Sequence, residues 1–191
     1  MEVSKKMTIF AKSIIKNNRI MKKLFVLSFL LISISGYAQK VLSGTFELPP
    51  NEKYLTLNWD CSETVFEKKY NEKEWQAVKG DDWPKAQKQV LERLVRDTND
   101  HIDKSRVIVV LPGSELQGSF TLFICPIKLD KHGNNKTNYI LRDANGNEIG
   151  KAQFNGDGGR WGTFANLLGD GYENAGKKLG NLIDKYNKRK K

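Results

Sequence analysis

The sequence predicts an α+β fold: a single mixed β-sheet of about five strands with two long helices packed on it, an α/β sandwich. Three observations carry this. Two long stretches repeat their apolar residues at the 3.6-residue period of a helix, one running from Trp83 to Ile102 and one from Phe164 to Tyr186. Between and before them lie alternating or continuous apolar runs, such as YLTLNWD at 54–60 and RVIVVL at 106–111, which suit strands. The resulting order is β–α–β–β–β–β–α, and its opening β–α–β unit implies a parallel pair.

The chain starts with material outside that fold. Residues 21–38 read MKKLFVLSFLLISISGYA, with Lys22 and Lys23 as a basic start, an apolar run from Leu24 to Ile34, and Gly36 and Ala38 as the small residues before a cleavage point. This is the pattern of a secretory signal peptide cut before Gln39. No cysteine follows the apolar run, so the thiol that lipoprotein processing needs is missing. Residues 1–20 precede a complete leader and read as a mis-assigned upstream extension, with Met21 the expected initiator.

Of 32 Lys+Arg and 22 Asp+Glu, the first 38 residues hold 7 and 1, leaving 25 and 21 in the exported part. Lys185, Lys188, Arg189, Lys190 and Lys191 account for five of those cations, so the body is near neutral. A neutral body argues against nucleic acid as a partner. The basic end suits an anionic surface or a helix C-terminus.

The organisation then reads in order: 39–53 a lead-in, 54–187 one domain, 188–191 a basic tail. In the lead-in, Val41, Leu42, Phe46 and Leu48 make a short edge strand that Pro49-Pro50 ends. Tyr54–Asp60 puts Leu55, Leu57 and Trp59 on one face. A connection of some twenty residues follows, with room for a short helix. Asp82 is the expected N-cap of the first long helix, and Pro84 lies in its first turn. That helix's outer face pairs Lys88 with Glu92, Glu92 with Arg96 and Arg93 with Asp97, each four apart. Arg106–Leu111 is β-branched and continuous, as expected of a strand buried on both faces. Gly118–Leu129 is a long strand, and Thr137–Arg142 with Glu148–Phe154 flanks a hairpin turn at Asn145-Gly146. In the closing helix Gly171 and Ala175 lie on the apolar stripe, which predicts a close approach to the sheet. The alternative for its glycines, a Gly-xxx-Gly membrane face at Gly176 and Gly180, fails because Glu173, Lys177, Lys178, Asp184 and Lys185 interrupt the segment.

A signal peptide, a strand ending in Asp60-Cys61-Ser62, one long helix, a meander and the close GDGGRWGTFANLLGDGYENAGKKLG together resemble the small exported Gram-negative α/β proteins of unknown function. Their sandwich is similar to the TolB N-terminal domain and to the periplasmic domain of the curli secretion channel. The resemblance covers roughly residues 54–186. It implies a non-catalytic envelope module and carries over no catalytic residue.

Cys61 and Cys125 are the only cysteines, both in the exported part. Export permits a disulfide between them, and two buried thiols is the other reading. His101 sits among Asp97, Asp100 and Asp103 at a helix end, and His132 in a polar loop, both read as solvated. Asp143-Ala-Asn145-Gly-Asn147 opens like a calcium loop but has Glu148 sixth and Phe154 twelfth, so it reads as a hairpin turn. Gly156-Asp157-Gly158-Gly159-Arg160 has Trp161 where a dinucleotide loop needs its third glycine. No catalytic residue, metal site or cofactor is expected. The expected function is an exported, non-catalytic cell-envelope binding or assembly module, in the periplasm or at the outer membrane of a Gram-negative bacterium. Its partner would be an envelope protein or a glycan, and the mature chain would have no transmembrane span. The expected contact surface is the connection between Cys61 and Trp83, with Phe66, Tyr70, Trp75 and Trp83 as aromatic anchors. The alternative is an envelope hydrolase using carboxylates near Asp60.

Overall fold

Alternation in the sequence becomes layering. Leu55 and Leu57 of one strand, Leu122 and Ile124 of a second, Tyr139 and Leu141 of a third, and Ala152 and Phe154 of a fourth all point to one side and are buried there. In this computed structural model the described residues are 40–188. The expected leader, the upstream extension and the last three tail residues lie outside them.

The elements are β1 (Lys40–Gly44), β2 (Tyr54–Trp59), β3 (Val65–Phe66), α1 (Glu72–Lys79), α2 (Asp82–Asn99), β4 (Ile108–Val110), β5 (Phe120–Leu129), β6 (Asn135–Arg142), β7 (Glu148–Gly156) and α3 (Phe164–Tyr186). The class is α+β with one mixed sheet, as the sequence predicts. In detail it has seven strands and three helices among the described residues, not about five and two. The sheet runs β1-β7-β6-β5-β2-β4, with β3 beside β5. β2 is parallel to both β4 and β5, and β5, β6 and β7 form an antiparallel meander.

Two expectations are corrected locally, and a third is met. α2 begins at Asp82 itself; Asp81 precedes it and makes no side-chain cap bond. The strand expected at 106–111 shrinks to three residues at the sheet's edge, with Ile108 52% exposed and not buried on both faces. Ahead of it, Arg106 sends its guanidinium to Glu52 O and Leu48 O, both 2.5 Å away. The short helix in the long connection is α1, capped by a reciprocal box in which Asn71 and Glu74 bond each other's backbone N–H at 3.0 and 2.9 Å.

α2 and α3 cover one face of the sheet. Trp59 is held between them: its indole N–H donates to Gln87 O (3.0 Å), and its ring meets Tyr172 edge-on at 5.4 Å. Tyr172 and Thr137 share a buried hydroxyl bond at 3.0 Å. The other face carries Asn58, Phe123, Cys125, Asn138, Ile140, Arg142, Lys151 and Gln153, mostly half-buried. No described helix packs on it, and no described helix is long and apolar enough to cross a membrane.

Candidate functional site

The Cys61–Trp83 connection turns its aromatic rings inward. Helical spacing in α1 sends Trp75 into the core and leaves Lys73, Glu74 and Ala77 outside. Phe66 stacks on Trp75 at 5.4 Å and meets Trp83 edge-on at 5.2 Å, while Phe164 from α3 closes on Trp75 at 5.9 Å. Phe66, Trp75 and Trp83 are at most 1% exposed, so they offer no ring surface to a partner. Only Tyr70 stays half-buried at the rim, 6.1 Å from Trp75. The physical reason is area: each ring buries some 150–250 Å², and the charged residues between them supply the solvated side. The cost is visible, because the indole N–H groups of Trp75 and Trp83 have no partner among the described residues.

What the connection presents outward is a charged hairpin. Phe66 and Tyr70 exchange backbone bonds (2.8 Å each way), and Lys69 N donates to Phe66 O (3.0 Å). The two residues at the tip, Glu67 and Lys68, sit at φ 48° and 65°. This left-handed turn normally takes Asn-Gly, and non-glycine residues there are strained by roughly 1–3 kcal/mol each. Glu67 N also bonds Leu129 O (3.0 Å), which ties the tip to β5.

A groove of about 740 Å³ lies against this hairpin, lined by Val65, Glu67 and Lys68 on one side and by residues 128–132 with Asn134 on the other. The opposite wall is the β5–β6 turn. Asp130 organises it, accepting from His132 N (2.9 Å), Asn134 N (3.0 Å) and Asn134 Nδ2 (2.8 Å). Glu67 accepts from Lys131 N at 2.5 Å across the groove. Both acids of the groove are thus spent on backbone, while Lys68, Lys128 and Lys131 have no ion pair within 4 Å among the described residues.

A second groove of about 310 Å³ opens on the helix-free face, lined by Asp60, Glu63 and Glu148 with Arg142, Lys151 and Cys125. Asp60 is ion-paired to Arg142 at 3.5 Å and accepts from Ser62 Oγ at 2.6 Å. Arg142 in turn lies over the Phe123 ring at 4.8 Å. Ser43 donates to Glu148 at 3.3 Å.

The two cysteines are free thiols. Cys61 faces α2, where Gln87 Nε2 donates to its sulfur at 3.7 Å, whereas Cys125 lines the groove on the other face. Projecting from opposite sides of one sheet, they do not meet the geometry of a disulfide. Burial pushes both thiols up to about 12, with the Glu72 charge adding at Cys61 and the Asp60 charge at Cys125. Neither is thereby activated as a nucleophile.

The remaining motifs are structural. His101 Nδ1 lies 2.7 Å from Asp97 O at the helix end. Asp143 closes its hairpin by accepting from Asn145 N, Asn147 N and Asn147 Nδ2, and those bonds, led by the Asn147 side chain, hold its carboxyl below the usual range. Gly158 packs against the β5–β6 turn, its N–H donating to Asn134 Oδ1 at 2.8 Å. Among the described residues no three His, Cys, Asp or Glu side chains are grouped so as to hold a metal.

None of the residues lining the first groove is among the aromatic anchors expected from the sequence. The available signal was lysine on both arms of the β5–β6 hairpin, Lys128 and Lys136. They are cross-strand partners because β6 begins at Asn135, two residues before the Thr137 expected from the sequence.

No family model and no curated protein matches the chain. Among solved structures, it is similar to the PelC dodecamer from Paraburkholderia phytofirmans at 13% identity, covering 81% of this chain and 99% of that one, with a TM-score of 0.40. A single-substitution variant of the same dodecamer aligns over the same shares at 12% identity and a TM-score of 0.40. At that score the likeness carries no argument about this chain.

Proposed function

We propose that this chain is an exported, non-catalytic binding module of a Gram-negative cell envelope, and that it meets its partner at the groove between the 66–70 hairpin and the β5–β6 turn. The export part rests on the leader sequence, and kinship with exported sandwiches such as the TolB N-terminal domain belongs to the same reading. The carrying observation is a charged hairpin tip held in a strained left-handed turn by a buried aromatic cluster beneath it. Strain of this kind collects at functional surfaces, and a fixed tip lowers the ordering cost of binding. The hydrolase alternative has one observation in its favour, the three carboxylates of the second groove. It stands second because Asp60 is engaged by Arg142 and Ser62 and both thiols are held protonated.

The test is site-specific photocrosslinking in envelope preparations. A benzophenone side chain replaces Lys68 in one variant, Lys88 on the outer face of α2 in another, and Lys151, which lines the second groove, in a third. The expected result is a heavier adduct from position 68 and none from 88. Adducts from 151 without any from 68 would move the contact to the second groove and overturn the assignment.

A further inference from the structure

We infer that the groove takes an acidic polysaccharide, held by lysine–carboxylate contacts along a row that continues from it onto the helix-free face of the sheet. This rests on the groove being the contact surface and adds the class of ligand. The row is Val65, Lys128, Lys136 and Asn155, four residues side by side on neighbouring strands β3, β5, β6 and β7. Lys128 and Lys136 are direct cross-strand partners, and like charges placed directly opposite repel and destabilise a sheet. Among the described residues neither has a carboxylate within 4 Å to relieve that repulsion. Lys68 and Lys131 extend the positive charge along both walls. Against these four cations stand Glu67 and Asp130, whose oxygens are turned to backbone N–H groups.

The spread of charge sets the kind of anion. The four lysines come from separate places, the 66–70 hairpin, the β5–β6 strand pair and the turn between its strands, so they offer separate point charges and not one bidentate fork of the kind that grips a single phosphate. Val65, 42% exposed, supplies an apolar step in the same row, and Asn155 an amide. Sugar rings offer C–H faces to the first and hydroxyls to the second, and uronate carboxylates pair with the lysines. An extended acidic peptide fits less well, since the hairpin's backbone groups are used: Phe66 and Tyr70 bond each other and Glu67 bonds Leu129. No free ladder is left for it to join. A concave trough also matches a chain better than the plane of a bilayer.

The probe is an oligogalacturonate, titrated calorimetrically against the full exported chain. Binding is expected, weakened by added salt because exposed charges are screened. The double variant Lys128→Glu, Lys136→Glu should lose about tenfold or more in affinity, and Lys88→Glu nothing. Circular dichroism checks that the fold persists, and Lys128→Gln with Lys136→Gln removes the charges without reversing them, so the loss must appear in that pair too. Equal binding of neutral dextran, unchanged affinity in either double variant, or capture of phosphatidylglycerol vesicles without capture of oligogalacturonate would each overturn the inference. If position 68 crosslinks in the envelope and oligogalacturonate does not bind, the site stands and the ligand class falls. If the crosslink itself is missing, both fall.

Discussion

Asp60 N donates to Ile124 O at 3.0 Å, so the β2–β5 ladder runs on past the end of β2. Cys61 follows just beyond β2 and Cys125 lies on β5, yet one points to α2 and the other to the helix-free face. A strand assignment alone could bring the two together; only the parity of the ladder separates them, and parity across strands depends on register, which the sequence does not display. Their protonation has a consequence for stability. Both folded thiols lie near 12 against an ordinary value of 9.0, raised first by burial. The fold therefore favours the neutral form, and this contribution is complete below pH 9 and lost as pH rises from 9 towards about 12. Tyr139 and Tyr172, also raised by burial, add to the same alkaline loss. Chemical denaturation across this range should show stability falling with pH, with a shallower fall in Cys125→Ala. At neutral pH both thiols of the native protein should label slowly, and reductant should leave the melting temperature unchanged. A flat profile above pH 9, or fast labelling at neutral pH, contradicts the burial account.

Helix α3 was the most legible element, its span following from a stripe of apolar positions that the structure buries from Leu168 to Ile183. Its glycines carried information that periodicity could not assign to a neighbour. Gly171 does approach the end of the sheet: a Cβ there would stand 2.0 Å from Gly133 O, and one on Gly156 would stand 1.7 Å from Gly171 O. Gly176 and Gly180 instead admit helix α2, where added Cβ atoms would meet Asp97 Cβ at 2.6 Å and Thr98 O at 2.6 Å. The Gly-xxx-Gly spacing thus serves helix–helix contact inside the domain. In an ordinary helix interior, alanine in place of glycine stabilises by about 0.5–1 kcal/mol. At Gly180 the clash is with backbone, so the helices must part, and overpacking of this kind costs about 1–3 kcal/mol. Gly180→Ala should therefore destabilise on balance in urea denaturation, and a gain would mean that the α2–α3 contact is looser than described. Other elements were less legible for equally physical reasons. α1 is only eight residues with one buried ring, too short for periodicity to register. Three apolar residues at an edge do not distinguish β4 from a buried strand, and β3 exists only through its pairing with β5. The lining of the groove was illegible, because the connection's rings turn inward and the wall facing Lys68, with Lys128 and Lys131, comes from the β5–β6 hairpin about sixty residues on.

The sheet as a whole must manage two open edges, since an unpaired strand is a template for association. β1 forms one edge, and its pairing with β7 is bulged between Val41 and Ser43, which twists the strand out of a regular ladder. The β4 edge is handled by a single side chain. In a parallel strand alternate residues turn both backbone groups to the same side; Val109 turns its pair away from β2, and Asn99, the last residue of α2, takes both. Asn99 Oδ1 accepts from Val109 N at 2.9 Å and Asn99 Nδ2 donates to Val109 O at 2.8 Å, as a neighbouring strand would. The helix that carries the chain from β2 to β4 thereby ends by sealing the strand it delivers. Asn99→Ala removes two bonds, each worth about 0.5–1.5 kcal/mol, so a loss of about 1–3 kcal/mol is expected in chemical denaturation. It also exposes Val109's backbone beside Ile108, already 52% exposed. Light scattering at rising concentration should then show self-association in the variant and none in the parent under the same conditions. Asn99→Asp separates the two effects, because a carboxylate still accepts from Val109 N but cannot donate to Val109 O, and its charge disfavours a second strand at the edge. That variant should lose stability while remaining monomeric. Association of both variants alike would place the sticky surface elsewhere, and unchanged stability in both would show that water replaces the amide at no cost.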